Sequence, residues 1–354
     1  MNQLQAEIAQ EITRAGPMNM ARFMELALYH PALGYYRSPN LIIGKSGDFY
    51  TSVSVGSCFG ELLARRFICW ATALQHGSFQ IVELAAHNGQ LASDILHFLR
   101  TTAPSFYEQV TYTICEPREN YRIVQRQTLA EFSRKVEWHT IETLPQIRGV
   151  IFSNELFDAL PARLFRYFKQ ERLFREIGVG LSSEGKLDFV TLSKTCAVRP
   201  PFDREVPDQL PDGFFFEISE TGNALYENLS QKLKYGYLLT IDYGFLQEEI
   251  QQMGKLTLRA YHNHHLTSDI LANPGEQDIT RTINFTELLQ IGERDGLKTE
   301  FFTSQERFLM DTLTLSQSIN LLLPEGPSLI GQLKTLTNPQ HLGSKFRVLL
   351  QSRF

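Results

Sequence analysis

Ile81-Val82-Glu83-Leu84-Ala85-Ala86-His87-Asn88-Gly89-Gln90-Leu91 passes from an apolar run, through a small polar turn, into a segment with helical periodicity. Ile81 to Leu84 is short and apolar enough for a buried strand, and Leu91 to Leu99 predicts the helix that follows. A strand entering a helix through a tight turn is the first half of a parallel crossover unit, since parallel neighbours cannot be joined by a hairpin. In an open sheet of this kind ligands sit in the crevice at the carboxyl ends of the strands, beside helix N-termini. Glu83 and Gly89 stand at that place. A nucleotide-binding turn usually has glycine at the positions of Ala85, His87 and Gly89, where a side chain blocks close approach of backbone to ligand; only Gly89 remains.

The same alternation recurs along the chain. Tyr112 to Glu116, Val150 to Asn154, Phe214 to Ile218 and Tyr237 to Asp242 read as further strands of the sheet, with a strand near Leu297 to Phe302 and a final one at Phe346 to Leu350. The fold class is therefore α/β, a Rossmann-like sheet with crossover helices. Leu164 to Val190 departs from this pattern as a β-hairpin excursion turning at Ser182-Ser183-Glu184-Gly185, with Arg199-Pro200-Pro201 as loop punctuation. Ahead of the sheet, Leu4, Ile8, Ile12 and Ala15 form the stripe of a short helix stopped by Gly16-Pro17, and a second helix runs from Met20 to Tyr29 before His30-Pro31. That stripe can pack internally or on another subunit, which leaves homo-oligomerisation open. The expected organisation is a helical N-terminal extension over 1–60 and a Rossmann-like domain over 61–354. The hairpin excursion falls near 162–212 and C-terminal helical additions near 304–340.

The 354 residues are 43% hydrophobic and 21% charged, the balance of a soluble globular chain with a sizeable core. A net charge of −5 supplies no general attraction for a phosphate backbone, so no nucleic-acid partner is expected. No apolar run approaches a membrane span, and Asn2 to Ile8 lacks the character of a signal or transit peptide, so the expected location is cytoplasmic. Cys58, Cys69, Cys115 and Cys196 include no C-x-x-C pair, which predicts reduced thiols and no structural zinc.

Three further strand ends carry polar side chains. Glu116 can accept hydrogen bonds from both ribose hydroxyls of an adenosine or cap a helix. In Ser153-Asn154-Glu155-Leu156-Phe157-Asp158, the carboxylates of Glu155 and Asp158 are three apart; on one helical turn they would hold a cation such as a guanidinium. Ile241-Asp242-Tyr243-Gly244 is the last. Tyr261-His262-Asn263-His264-His265 has no ligand partners at metal-site spacing, so no metal is assigned.

These segments resemble the MidA-like methyltransferases nearly end to end. The stretches that carry the resemblance are Arg22 to Pro31, Gly34-Tyr35-Tyr36, Gly47-Asp48-Phe49-Tyr50-Thr51-Ser52, Phe59-Gly60-Glu61-Leu62, Ser153 to Pro161, Ile241 to Gly244, Leu258-Arg259-Ala260-Tyr261 and Asn273 to Thr280. The resemblance implies a class I methyltransferase fold, S-adenosylmethionine as cofactor, and a protein substrate or assembly partner methylated on arginine. By the same resemblance Asp48, Thr51, Glu83, Gly89 and Glu116 contact the cofactor, while Asn154, Glu155 and Asp158 orient the acceptor as catalytic residues. The sequence departs from the family in two places. Ala85, Ala86, His87, Asn88 and Gly89 replace a Gly-Pro-Gly-Arg-Gly-like loop, and Thr51-Ser52-Val53-Ser54 replaces Thr-Ser-Pro-Glu. A left-handed backbone at His87 would cost about 1–2 kcal/mol, whereas an imidazole lying in the cofactor's place would abolish binding. A catalytically inactive family member that binds or assembles proteins is accordingly the alternative to an enzyme.

Overall fold

Gly149 pairs with Gln80 on one side and Gly236 on the other, and this register fixes the centre of a parallel sheet. In the computed structural model the strand order is Val136–His139, Val110–Cys115, Phe79–Leu84, Ile147–Asn154, Leu233–Phe245, Phe346–Arg353, Lys298–Ser304. The first five run parallel; Phe346–Arg353 is antiparallel to both of its neighbours. The structure describes residues 2–37, 51–74, 79–192, 210–253, 256–262, 265–267, 269–319, 321, 327–338 and 342–354.

Two units divide the chain discontinuously. One comprises Met1–Arg37, Phe157–Leu225 and Phe245–Leu288; the other comprises Ser38–Leu156, Tyr226–Gly244 and Leu289–Phe354.

The second unit contains the large sheet. Its core is packed by Phe59, Phe67, Ile95, Tyr112, Phe152 and Val348, all buried, at about 1.5–3 kcal/mol for each large apolar side chain. The helix Cys58–Leu74 lies against Gln305–Ser318, tied there by Arg66, whose Nε donates to Thr312 Oγ1 (2.8 Å) and whose Nη2 donates to the Phe308 carbonyl (3.0 Å). The helix Gln90–Thr102, with Gly89 as its N-cap, contains the expected Leu91 to Leu99 and extends it at both ends.

The first unit carries its own five-stranded antiparallel sheet. Leu173–Leu181 pairs with Arg163–Phe168, with Leu187–Thr191 and with Met18–Asn19. The expected hairpin is present, turning through 182–185; residues 193–209, with Cys196 and the Arg199-Pro200-Pro201 loop, lie outside the described residues. Phe215–Ile218 is a correction to the sequence reading. It pairs with Arg163–Phe168 rather than joining the parallel sheet, because an apolar run of this length suits any buried strand and only long-range pairing chooses its sheet. The helices Gln3–Ala15 and Met20–Tyr29 are capped by Asn2 and Asn19, whose side chains accept from Gln5 N and Arg22 N. Leu4, Ile8 and Ile12 of the N-terminal stripe are buried within this chain, while Ala15 is exposed.

Among the described residues no helix is long and apolar enough to cross a membrane.

Candidate functional site

Within the large sheet, Leu84 stands between Cys115 and Ser153, and Asn154 pairs with Ile241. The carboxyl ends of these strands thus bring four of the sequence-selected segments side by side.

The turn after Phe79–Leu84 is left-handed at Ala85 (φ 51°), His87 (φ 45°) and Gly89 (φ 84°). The backbone takes a glycine-loop course without the first two glycines, at about 1–2 kcal/mol for each side chain so held. Gln125 secures it, donating from Nε2 to the His87 carbonyl (2.9 Å) while its Oε1 accepts from Trp138 Nε1 (3.0 Å). His87 is half-buried, its ring edge-on to Tyr121 at 5.8 Å, and its Nε2 is buried without a hydrogen-bond partner among the described residues. Burial holds the imidazole below its ordinary pKa, with the Arg118 charge adding to this and a side-chain hydrogen bond with Asn88 opposing it.

Glu83 is buried beneath the turn, accepting from the Tyr112 hydroxyl at 2.6 Å. Burial pushes its carboxyl up to about 8, outweighing the Tyr112 hydrogen bond, so it stays protonated at neutral pH. Asp94, on the following helix, is pushed up to about 6 by the same cause. Glu116 is 1% exposed and directly follows the strand Val110–Cys115. Its Oε1 accepts from Arg118 N (3.0 Å) and lies 3.4 Å from Arg118 Nε, and the guanidinium sits 4.0 Å above the Tyr121 ring.

The next strand, Ile147–Asn154, is followed by a third left-handed non-glycine residue, Glu155 (φ 52°), whose backbone N–H donates to the Ile241 carbonyl. The Glu155 carboxylate accepts from Ser52 N (3.2 Å) and Asn154 Nδ2 (3.1 Å). Since a carboxylate there accepts, the Asn154 amide is fixed with its Oδ1 turned away, buried and unpartnered among the described residues. The Thr51 hydroxyl is committed to its own turn, accepting from Ser54 N. Asp48 lies outside the described residues.

Glu155 and Asp158 do not share a helical turn. Left-handed Glu155 breaks the spiral, and the one-turn helix Phe157–Ala159 starts only afterwards. Asp158 belongs to the first unit, where burial pushes its carboxyl up to about 6 against the pull of the Arg259 and Arg281 guanidinium groups. In that unit a cavity of about 530 Å³ is lined by Asn19, Arg22, Glu25, Tyr29, Leu160 and Pro161 among others. No candidate catalytic or cofactor-binding residue borders it, although Arg22, Glu25, Tyr29, Leu160 and Pro161 fall in stretches that carry the family resemblance.

Several supporting residues were not assigned from sequence. Asp242, fully buried, accepts from Leu156 N (3.0 Å) and Tyr243 N (2.8 Å) and so holds the turn after Asn154. Its signal was visible as a polar residue ending an apolar strand. Ser52, whose Oγ donates to Gln305 Oε1 (3.0 Å), enters the sequence reading only within family stretches and Tyr112 only as a strand residue; their roles gave no signal because their partners are distant in the chain or on another strand. Among the described residues no group of three or more His, Cys, Asp or Glu side chains could hold a metal; Asn263 and His264 lie outside them.

A family model described as “Putative S-adenosyl-L-methionine-dependent methyltransferase” matches residues 62–303, more than half of the chain. The chain belongs to that methyltransferase family. “Protein arginine methyltransferase NDUFAF7, mitochondrial” from Mus musculus is 27% identical over 95% of this chain and 81% of its own length. The Danio rerio protein of the same name is 28% identical over 96% and 84%. A solved structure from Burkholderia thailandensis, described as a “likely methyl transferase” and bound to S-adenosyl-homocysteine, matches with a TM-score of 0.86 at 27% identity, covering 99% of this chain and 92% of that one. The methyltransferase fold expected from sequence, with its helical N-terminal segment, is thereby established. The expected cytoplasmic location is corrected: these curated relatives are designated mitochondrial, a property that composition does not reveal.

Proposed function

We propose that this methyltransferase transfers a methyl group from S-adenosylmethionine to an arginine side chain of a protein substrate. The observation that carries the reading is the left-handed backbone at positions 85, 87 and 89, which keeps a glycine-loop course between Glu83 and the helix Gln90–Thr102. Buried Glu116 and the unpartnered polar atoms of His87 and Asn154, at the ends of neighbouring strands, suit a polar ligand in the crevice. S-adenosylmethionine would supply an electrophilic methyl group.

The protein's part is positioning, worth up to about 7–11 kcal/mol for a well-aligned nucleophile. Glu116 binds the ribose hydroxyls, Gly89 admits the ligand against the helix N-terminus, and Thr51 belongs to the turn that covers it. Glu83, protonated and held by Tyr112, supports the loop from below. Glu155, oriented by Ser52 N–H and Asn154, attracts the acceptor guanidinium, and Asn154 Oδ1 accepts one of its N–H groups. Asp158 acts with Arg259 and Arg281, and Asp48 completes the cofactor set by family resemblance.

Calorimetric titration with S-adenosylmethionine tests the first half of this reading, and mass spectrometry of arginine-containing protein substrates tests the second. Saturable binding followed by methylation is expected. The arginine contact to Glu116 favours a second reading, a non-catalytic partner-binding protein whose ribose acid is already satisfied; absence of binding at millimolar ligand would establish that one instead.

A further inference from the structure

At the position of His87 the Gly-Pro-Gly-Arg-Gly-like loop of the resemblance has glycine, and this chain places an imidazole there. The His87 ring meets Tyr121, the Tyr121 ring lies under the Arg118 guanidinium at 4.0 Å, and Arg118 reaches Glu116. These contacts lead from the imidazole to the carboxylate at the end of the adjacent strand. Among the described residues Nε2 is buried without a partner, a cost of about 1–3 kcal/mol unless something meets it. The backbone at φ 45° adds strain that an ordinary glycine would not carry. Strain and an unmet polar atom at one residue, in a ligand crevice, are characteristic of a group kept for binding.

We propose that His87 is a ribose-contacting residue, its Nε2 hydrogen-bonding a hydroxyl of the adenosyl group beside Glu116. The inference rests on the S-adenosylmethionine reading above. A hydroxyl both donates and accepts, so it satisfies either neutral tautomer of the ring. Burial and the Arg118 charge hold the ring below its ordinary pKa against the Asn88 hydrogen bond, which favours the neutral ring and removes any need for an anionic partner. The contact replaces, with a side chain, room that the family loop gives to backbone.

The test is calorimetric titration of the full chain with S-adenosylhomocysteine and with its 2′,3′-dideoxyribose analogue, using the parent protein, His87→Ala and His87→Gly. The expected result is an affinity for S-adenosylhomocysteine about tenfold lower in both variants, the size of one hydrogen bond, with no change for the dideoxy analogue. The Gly variant, freed of strain, should melt no lower than the parent, which separates lost contact from lost folding. Equal or tighter binding of S-adenosylhomocysteine by either variant would overturn the proposal while leaving the cofactor reading intact, as would an equal loss for both ligands. No binding by the parent or by either variant would overturn both.

Discussion

The turn at 182–185 and the turn at 85–89 face the same backbone demand and meet it in opposite ways. In the hairpin, Gly185 takes φ 75°, with nothing within 4 Å of where a side chain would begin. After the central strand, Ala85 and His87 take the left-handed region with side chains attached, and Glu155 does so after the neighbouring strand. Arg172, in another hairpin turn, has φ 51° as well, but its side chain is exposed and the turn carries no buried polar group without a partner. Left-handed backbone alone therefore does not mark a site in this protein. The proposed site rests on a narrower combination, left-handed backbone with a half-buried side chain at the carboxyl end of a parallel strand.

The sharpest way to break this contrast is to neutralise Glu155. Glu155→Gln should lower turnover on an arginine-containing protein substrate by about 100-fold, the scale of losing one preorganised electrostatic contact, while S-adenosylhomocysteine affinity stays within about threefold. Equal losses in steady-state kinetics and in calorimetry would make Glu155 structural. Arg172→Gly, its surface counterpart, should leave both quantities unchanged.

The two glycines give the next comparison. Gly89→Ala and Gly185→Ala should each cost about 1–2 kcal/mol in urea unfolding, since both force a side chain into the left-handed region. Only Gly89→Ala should also weaken S-adenosylhomocysteine binding, because its new methyl would sit 3.3 Å from Leu129 Cδ1 and 3.5 Å from Gln125 Cα, on the helix Glu119–Thr128 whose Gln125 secures the loop. Loss of affinity from Gly185→Ala would end the distinction between the turns.

The smallest effect concerns Glu83. Its folded pKa lies above the unfolded value of about 4.5, so the unfolded chain releases the proton first, and stability falls as pH rises from 4.5 towards 8. Asp94 adds the same sign at lower pH, between 3.8 and about 6. Glu83→Gln should narrow the difference in melting temperature between pH 5 and pH 8 by a few degrees, measured calorimetrically. An unchanged difference would show that Glu83 ionises in the folded protein.

What the sequence made legible was local. The strand before Ala85, the helix after Gly89, and the polar residues Glu116, Asn154 and Asp242 at strand ends all follow from patterns a few residues long. The four-residue strand Val136–His139 was missed because it is too short for alternation to register. Phe215–Ile218 was assigned to the wrong sheet because its partner, Arg163–Phe168, lies some fifty residues earlier. At the site, the hydrogen bond from Ser52 N to Glu155 spans 103 positions, and no pattern links them. The spacing of Glu155 and Asp158 suggested one helical turn, but a single left-handed residue redirected the chain between them.

The reversed strand Phe346–Arg353 has a consequence for the birth of the protein. It lies between Leu233–Phe245 and Lys298–Ser304 but leaves the ribosome after both. Until it emerges, Leu233–Phe245 keeps one flank open and Lys298–Ser304 has no place in the sheet. Nascent chains must therefore leave the apolar flank of Leu233–Phe245 open and Lys298–Ser304 unpaired for the time needed to translate more than forty further residues, a window in which a chaperone that covers strand edges would find its substrate.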